Sequence, residues 1–248
     1  MAVPHLLSFA LVSITIIMIH PSHSSADTDI PKISAMEKPL KVNLSLYYES
    51  LCPYCRNFII NQLVKIFNSD LISIVNVRMV PWGNAQVAES NKIIICQHGE
   101  DECYLNTIHA CAINIWPDLR EHFNFIYCVE NQGLHIQDNQ HSQDAEAAWK
   151  ACSAWLGLDQ KLIEDCYNGG YGKKLSLQYA SETSNLNPQH SYVPWVTVNK
   201  QPLYDDYPNF IAHICNAYSG KSVVEACTSN SSITADKENS IHPVCYAS

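Results

Sequence analysis

The sequence predicts an α/β fold in which a βαβ unit with parallel strands accompanies a long helical segment. Three observations support this prediction: a strand–helix–strand pattern at residues 42–80, a stretch without strand signals at about 96–187, and a strand pattern that returns at 195–199. The chain has 248 residues and 11 cysteines, which suits one compact domain stabilised by disulfides.

The N-terminal segment has the pattern of a signal peptide. Residues 6–19 form an apolar run, and small residues follow up to Ala26, so cleavage is expected after residue 26. Because no Lys or Arg precedes the run, a retained membrane anchor is the alternative. Residues 27–39 are polar and are expected to be a leader, after which no membrane segment is predicted.

The βαβ unit follows at about residue 40. Apolar and polar residues alternate over 42–48, which predicts a strand, and the helix after it has an apolar side that includes Phe58 and Leu63. Residues 71–80 are almost continuously apolar and predict a second, buried strand.

The rest of the domain is predicted to be a helical insertion followed by a hairpin. Helices are predicted at residues 101–115, 145–156, 160–167 and 173–184. Strands at 195–199 and 202–204 flank a short turn, and a closing helix is expected at 208–218. The polar tail, 228–248, is predicted to be flexible.

The charge pattern excludes several partners. With 24 acidic against 15 basic residues, the net charge is −9, and no basic stripe is present. Nucleic acid and anionic membrane surfaces both need clustered Lys or Arg, so neither is an expected partner. No cofactor or metal is predicted, because no phosphate-binding loop or recognisable ligand set occurs.

The pair Cys52-Pro53-Tyr54-Cys55 lies between the first strand and its helix. A helix N-terminus favours a thiolate on the first cysteine, so Cys52 is predicted to be an exposed nucleophile. Cys55, one turn later and facing inward, is predicted to resolve the mixed disulfide. Tyr54 is expected to contact the substrate.

A structural disulfide and half of a zinc site are the alternatives for this motif. Zinc would need ligands such as Cys96, His98 and Cys103, whose spacing fits no known finger, and an oxidising compartment disfavours thiolate sites. Redox chemistry is favoured by Pro194, which precedes the later strand. In thioredoxin-like folds a cis proline at that place lies opposite the cysteine pair and binds substrate, so Pro194 is predicted to be cis and close to Cys52.

Residues 96–111 read CQHGEDECYLNTIHAC and carry every fixed position of the pattern CQHGxxECxxNxxxxC. Together with Cys52, Cys55 and Pro194, this segment resembles the gamma-interferon-inducible lysosomal thiol reductases over about residues 40–227. The resemblance implies a thioredoxin-like fold with a helical insertion at about 96–187. It also implies disulfide reduction at acidic pH in a lysosome-like compartment.

Beyond the Cys52–Cys55 pair, nine cysteines remain, so one thiol is left over. The odd cysteine is expected to be Cys245, in the polar tail. The structural disulfide candidates are Cys96, Cys103, Cys111, Cys128, Cys152, Cys166, Cys215 and Cys227. Gln97, His98 and Asn106 of the signature are expected to satisfy backbone groups rather than to catalyse.

Other polar motifs are less informative. The remaining histidines form no triad and are expected to face solvent; they include His109, His122 and His190. N-glycosylation sequons begin at Asn43 and Asn230, although a glycan on Asn43 conflicts with its place on a central strand.

The resulting hypothesis is a secreted or lysosomal/vacuolar thiol reductase that cleaves disulfides of protein substrates and is recharged by a small thiol or protein reductant. At pH 5 an ordinary cysteine is only about one part in 3,000 thiolate, so Cys52 would need a lowered pKa. A secreted, disulfide-stapled binding protein is one alternative. A disulfide oxidase or isomerase on the same fold is the other, since direction depends on the redox potential.

Overall fold

The computed structural model describes residues 41–88, 93–132, 141–229 and 244–247. The predicted signal peptide (1–26), the predicted leader (27–39) and Asn230 lie outside these residues. A four-stranded sheet in the order β2-β1-β6-β7 forms the centre of the fold. Its strands are β1 (Val42–Tyr48), β2 (Val75–Pro81), β6 (Trp195–Val198) and β7 (Gln201–Pro202).

The central strand β1 has a neighbour of each orientation. It pairs in parallel with β2, where Leu44 lies beside Val77, and antiparallel with β6, where Leu46 lies beside Val196. Leu44 and Leu46 are completely buried, as expected for a strand covered on both faces. The predicted parallel βαβ unit is therefore confirmed.

The helical connection from β1 to β2 begins at Pro53. It consists of α1 (Pro53–Asn57), a π-helical segment (Phe58–Leu63) and α2 (Val64–Phe67). The predicted apolar side is buried, and the Phe58 ring packs edge-on against Phe210. This packing fixes the helix, and with it the cysteine pair at its start, against the sheet.

The second strand begins later than the sequence predicts. Residues Asp70–Ser73 form a 3-10 helix, in which the Ser73 hydroxyl donates to the Asp70 carbonyl at 2.6 Å. Leu71 is buried within this turn, so the apolar run continues although the strand does not. A short hairpin of β3 (Gln86–Ala88) and β4 (Ile93–Ile95), which the sequence analysis did not predict, follows β2.

The predicted insertion is helical. Its helices are α3 (Glu100–Ile115), α4 (Leu119–Asn131), α5 (His141–Leu156), α6 (Gln160–Asn168) and α7 (Tyr171–Ser184). Helix α4 was not predicted. Asp118 caps it by accepting from the backbone N–H groups of Arg120 and Glu121, and the Phe123 ring stacks on Phe67 of α2.

The C-terminal part of the chain adds two strands to the central sheet, and helices follow them. β5 (Tyr192–Val193) precedes the predicted β6–β7 hairpin, which turns through Asn199 and Lys200 at positive φ. A 3-10 helix (Tyr204–Asn209), α8 (Phe210–Ala217) and α9 (Glu225–Ser229) follow.

The last described segment differs from the flexible tail expected at 228–248. Cys245–Tyr246 form strand β8, which pairs antiparallel with β5. Backbone pairing and a disulfide hold this segment, neither of which the polar composition of the tail reveals.

Four disulfides connect the eight structural candidates. They join Cys96 to Cys103, Cys111 to Cys166, Cys128 to Cys152 and Cys215 to Cys227. Since the sulfurs of Cys96 and Cys103 are bonded to each other, they are not available as the thiolate ligands that the zinc alternative required.

Two surface features bear on the remaining predictions. Asn43 is exposed near the start of β1, and its side-chain oxygen accepts a hydrogen bond from Asn76, so the central strand leaves this side chain at the surface. Glycosylation of Asn43 stays a prediction. In the described part of the chain, every helix is too short or too polar to cross a bilayer.

Candidate active site

The cysteine pair lies where β1 ends and the helix begins. Cys52 is the N-cap residue of α1, Pro53 occupies the first helical position, and Arg56 donates its backbone N–H to the Cys52 carbonyl at 3.0 Å. Proline suits this position because the first helical N–H groups have no partner within the helix. The local sequence thus places Cys52 at the positive end of a helix.

The two cysteines of the pair are not bonded to each other. Cys52 is bonded to Cys245, 193 residues later, and Cys55 is the free thiol among the described cysteines. The expectation that Cys245 is the odd cysteine is therefore wrong. The prediction that Cys52 is exposed is also wrong. Its exposure is 0%, and its sulfur is bonded to Cys245 of β8.

Cys55 lies beneath this disulfide in a buried, acidic environment. Burial raises the pKa of the Cys55 thiol well above its ordinary value, and the charge of nearby Glu49 raises it further. The backbone N–H of Glu49 acts in the opposite direction by donating to the sulfur. Cys55 is thus held as a protonated thiol next to the Glu49 residue.

Glu49 is a fully buried carboxyl group at the end of β1. Its Oε2 accepts the backbone N–H of Asn84 at 2.7 Å, and one of its oxygens lies within 4.8 Å of the sulfurs of both Cys52 and Cys245. Burial, and then the charge of Glu102, raises the pKa of Glu49 to about 8. Glu49 is therefore protonated at neutral and acidic pH, close to all three sulfurs.

A sharp turn after β2 makes the Glu49–Asn84 contact possible. Gly83 has φ +60, and a Cβ atom there would collide with the Glu49 side chain. Glycine is required on both counts, since L-residues with side chains are strained at this φ.

The signature segment packs against the loop that carries the cysteine pair. Glu102 is fully buried and accepts from the backbone N–H of His98 at 2.7 Å and from its Nδ1 at 2.9 Å. Asn106 accepts the backbone N–H of Ser50 at 2.8 Å and donates to Glu102 at 3.3 Å. The Asn106 side chain therefore satisfies a backbone group, as the sequence analysis expected.

Gln97 and His98 face the C-terminal segment. The Gln97 amide donates to the Tyr246 carbonyl at 2.8 Å, and His98 Nε2 lies 4.0 Å from the Cys245 sulfur. His98 Nδ1 is also 3.5 Å from Oε1 of Glu49, so the histidine lies between two carboxyl groups and the disulfide.

A second buried pair lies deeper under the site. His109 Nδ1 is 3.9 Å from Glu130, and it is within hydrogen-bond distance of the hydroxyls of Tyr48 and Ser50. Burial lowers the pKa of His109 to about 3. Burial raises the pKa of Glu130 to about 8, and the positive charge of Arg56 lowers the Glu130 pKa by a smaller amount. Both groups are neutral near pH 5. The expectation that His109 faces solvent is wrong, and it is wrong for His122 as well, because both side chains are buried.

Pro194 follows β5 directly, and the Val193–Pro194 peptide bond is cis. Val193 pairs with Cys245, whose sulfur is bonded to Cys52, so the residue before the proline lies next to the disulfide. Tyr54, predicted to contact substrate, is half-buried against the core between the two cysteines in the chain.

Two groups of side chains in the described residues bring three potential metal-ligating atoms within 4.8 Å of one another: Glu49 with Cys52 and Cys245, and Glu49 with His98 and Glu102. In the first group both sulfurs are in a disulfide and are poor ligands. In the second, the His98–Glu102 hydrogen bond and a protonated Glu49 account for the contacts without an ion.

The sequence analysis did not single out Glu49, Asn84, Glu102 or Glu130 as site residues. Glu102 was visible as a fixed position of the signature. Asn84 was marked by the Gly-Asn step after a buried strand, which is typical of a tight turn. Nothing in the local sequence identified Glu130, on the unpredicted helix α4.

The fold resembles those of known proteins. Among solved structures, the reduced disulfide oxidoreductase DsbG of Mycobacterium tuberculosis aligns with a TM-score of 0.57 at 14% identity, covering 80% of this chain and 91% of that one. BdbD of Bacillus subtilis, in its oxidised form, aligns with a TM-score of 0.53 at 13% identity over 74% and 93%. The fold is thioredoxin-like, with a helical insertion and several disulfides.

Sequence comparison is more specific. Residues 43–155 match the profile of the family described as "Gamma interferon inducible lysosomal thiol reductase (GILT)". The "Gamma-interferon-responsive lysosomal thiol protein" of Arabidopsis thaliana is 44% identical over 80% of each chain. The "Gamma-interferon-inducible lysosomal thiol reductase" of Mus musculus is 33% identical over 76% of this chain and 72% of its own. The chain belongs to the gamma-interferon-inducible lysosomal thiol reductase family.

Proposed function

We propose that this protein reduces disulfides of protein substrates through Cys52 as the attacking thiolate and Cys55 as the resolving thiol. One observation carries the proposal: Cys52 is bonded to a sulfur of an extended segment while Cys55 lies free beneath it. This is the arrangement of a mixed disulfide, the intermediate of thiol–disulfide exchange.

Family membership supports the reaction class. The chain is an oxidoreductase that acts on disulfides, and relatives from Mus musculus and Carassius auratus are named as lysosomal thiol reductases. Because an inert cysteine pair would need no free thiol under the bonded sulfur, the same geometry argues against a pure binding protein.

The proposed cycle has two exchange steps. The Cys52 thiolate attacks one sulfur of a substrate disulfide, a Cys52–substrate bond forms, and the second substrate sulfur leaves as a thiolate that takes up a proton. Cys55 then attacks Cys52, the mixed bond breaks, and the substrate's other sulfur leaves as a thiol. A small thiol or protein dithiol supplies the two electrons that reduce Cys52–Cys55 again.

Glu49 is proposed to move the proton in the second step. Cys55 is a protonated thiol, so it must lose its proton as it attacks, while the departing sulfur must gain one. A protonated Glu49 carboxyl near these sulfurs accepts the first proton on one oxygen and delivers its own from the other. Because the carboxyl starts and ends neutral, the relay works at acidic pH.

We place the activity in an acidic, lysosome-like or vacuolar compartment, or outside the cell. The predicted signal peptide, the names of the relatives and a site whose Glu49 and Glu130 stay protonated below about pH 8 support this placement. The proposed substrates are disulfide-containing proteins, and the segment that binds to the site is extended.

An oxidase or isomerase on the same geometry remains the alternative function, because direction depends on the Cys52–Cys55 reduction potential. A potential near that of thioredoxin, about −270 mV, supports reduction. A potential near that of DsbA, about −120 mV, would instead assign the protein to disulfide formation.

The direct activity test uses insulin disulfides at pH 5 with Cys52→Ser, Cys55→Ser and the exposed control Ser184→Ala. Cys52→Ser is expected to lose turnover entirely, because no attack occurs. Cys55→Ser is expected to attack once and stall. Turnover by Cys52→Ser at the rate of the parent and of Ser184→Ala would refute the proposal.

A further inference from the structure

The C-terminal segment, residues 244–247, is bound to the site as an extra strand. Cys245 pairs with Val193 and Tyr246 with Tyr192, and the N–H of Ala247 donates to the Ser191 carbonyl at 3.0 Å. Adding an extended peptide to a free strand edge is a common way for proteins to bind peptides. The edge strand β5 thus has a bound peptide, supplied by the chain itself.

Two side-chain amides contact the backbone of this segment on its other side. The Nδ2 of Asn84 donates to the Cys245 carbonyl at 3.0 Å and to the Gln97 side-chain oxygen at 2.8 Å. The Gln97 amide in turn donates to the Tyr246 carbonyl at 2.8 Å. Consecutive carbonyls are therefore bound by an ordered pair of amides, a contact that any peptide sequence can make.

Side-chain contacts select for the cysteine. Cys245 is 8% exposed, with its sulfur bonded to Cys52 and 4.0 Å from His98 Nε2. Tyr246 is 65% exposed, and its ring meets Tyr192 edge-on with centroids 6.1 Å apart. The site therefore requires a cysteine at one position and tolerates large side chains at the next.

We propose that β5, Asn84 and Gln97 form the binding site for an extended, cysteine-containing peptide, and that residues 244–247 occupy it as an internal substrate bonded to Cys52. This inference deepens the proposed reductase function and rests on it. In the closed form Cys52 is inaccessible, so a protein substrate and the C-terminal segment compete for one site.

Opening needs no external oxidant. The Cys55 sulfur attacks Cys52, the Cys52–Cys245 bond breaks as Cys52–Cys55 forms, and the Cys55 proton passes to the departing Cys245 sulfur, which leaves as a thiol. The reverse exchange closes the site again. Because Cys245 is on the same chain, it competes at an effective concentration that free thiols rarely reach.

The first measurement is the ratio of the two disulfides at equilibrium. The full chain is held in a glutathione buffer, quenched with acid and mapped by mass spectrometry without reduction. We expect the Cys52–Cys245 peptide in the parent and only Cys52–Cys55 in Cys245→Ser. Gln97→Ala should lower the Cys52–Cys245 to Cys52–Cys55 ratio about fivefold, because it loses a contact made in the closed form alone.

Gln160→Ala is the matched control, since Gln160 donates to the Lys150 carbonyl on the helical insertion. Its ratio should equal that of the parent. The second measurement uses the double variant Cys55→Ser/Cys245→Ser and compares mixed-disulfide formation with a capped Val-Cys-Tyr-Ala peptide and with cysteamine, which has no carbonyls. Gln97→Ala should weaken the preference for the peptide and leave cysteamine unchanged.

The outcomes separate the two proposals. Absence of the Cys52–Cys245 peptide, or an unchanged ratio in Gln97→Ala, would overturn the internal-substrate proposal while insulin reduction by the prereduced protein would still support the reductase. If both the prereduced parent and prereduced Cys245→Ser fail to reduce insulin, the reductase function fails and this inference fails with it. A lowered ratio in Gln97→Ala together with an unaltered one in Gln160→Ala supports it, and a raised ratio in Gln97→Ala would overturn it.

Discussion

Asn84 donates its backbone N–H to Glu49 at 2.7 Å and its side-chain N–H to the carbonyl of Cys245 at 3.0 Å. One residue therefore touches both the buried carboxyl group of the site and the peptide bound above it. This contact links substrate binding to the group that we propose moves the proton.

Replacing Glu49 by Gln should slow the resolving step about 100-fold at pH 5, since Gln keeps the acceptor for Asn84 but cannot relay a proton. The pH profile should also invert. In the parent the rate stays level in acid and falls as pH rises through about 8, the pKa of Glu49. In the variant it rises with pH, as the Cys55 thiolate forms.

Single-turnover release of a bound peptide, followed by quenched mass spectrometry, measures this step. Glu164→Gln, a change on an exposed helix of the insertion, should behave as the parent. An unaltered rate and profile in Glu49→Gln would exclude the proton relay while leaving the roles of the cysteines open to their own test.

Stability should fall as pH rises from about 6.5 to 8. Glu49 and Glu130 have pKa values of about 8 when folded and 4.5 when unfolded, so the folded state holds more protons and their contribution is lost as pH rises from 4.5 to 8. His109, at about 3 when folded and 6.5 when unfolded, loses stability only as pH falls below 6.5.

Calorimetry between pH 4 and 8 checks this balance. Between pH 4.5 and 6.5 three histidines, His109, His122 and His190, act against the two carboxyl groups, because burial lowers the pKa of each histidine. Above pH 6.5 the carboxyl groups act alone, so the melting temperature should decline from pH 6.5 to 8. Glu130→Gln should flatten the slope. A melting temperature that increases from pH 6.5 to 8 would contradict the assignment of these groups.

Gly83→Ala should destabilise the protein more than Gly157→Ala. Both glycines have positive φ, +60 and +69, so both variants lose about 1 kcal/mol from backbone strain. A Cβ at residue 157 meets no atom within 4 Å, whereas one at residue 83 collides with Glu49. Equal losses in urea unfolding would show that the Gly83 turn is not constrained by Glu49.

Asn106→Ala should cost about 1–3 kcal/mol, because the backbone N–H of Ser50 is left buried without its acceptor. The loss should be accompanied by slower attack of Cys52 on substrate, since Ser50 holds the loop that ends at the cysteine pair. Asn185→Ala, at an exposed helix end, is the control. A stable variant with the parent's attack rate would show that this hydrogen bond does not order the loop.

The sequence was sufficient for the local elements of the site. Strand alternation before Cys52, proline after it and the helical pattern that follows place the cysteine at a helix start, as the structure has it. The cis bond at Pro194 was also predicted. These features depend on neighbours in the chain, which patterns and residue types describe well.

Long-range contacts could not be predicted in the same way. The bond from Cys52 to Cys245 spans 193 residues, and a polar tail carries no sign that its end will pair with β5. Nor does the sequence around Glu49 show that burial and Glu102 will raise its pKa. Connectivity and burial arise from tertiary packing, so cysteine spacing alone left the pairing open.

The central claim, that Cys52 is the nucleophile, is tested most directly by trapping. Full-length Cys55→Ser, reduced and then exposed to a disulfide-containing protein at pH 5, is mapped without reduction by mass spectrometry. The account predicts that a substrate peptide, or Cys245 in competition with it, is bonded to Cys52. A substrate bonded to any other cysteine, with Cys52 left as a free thiol, would contradict it.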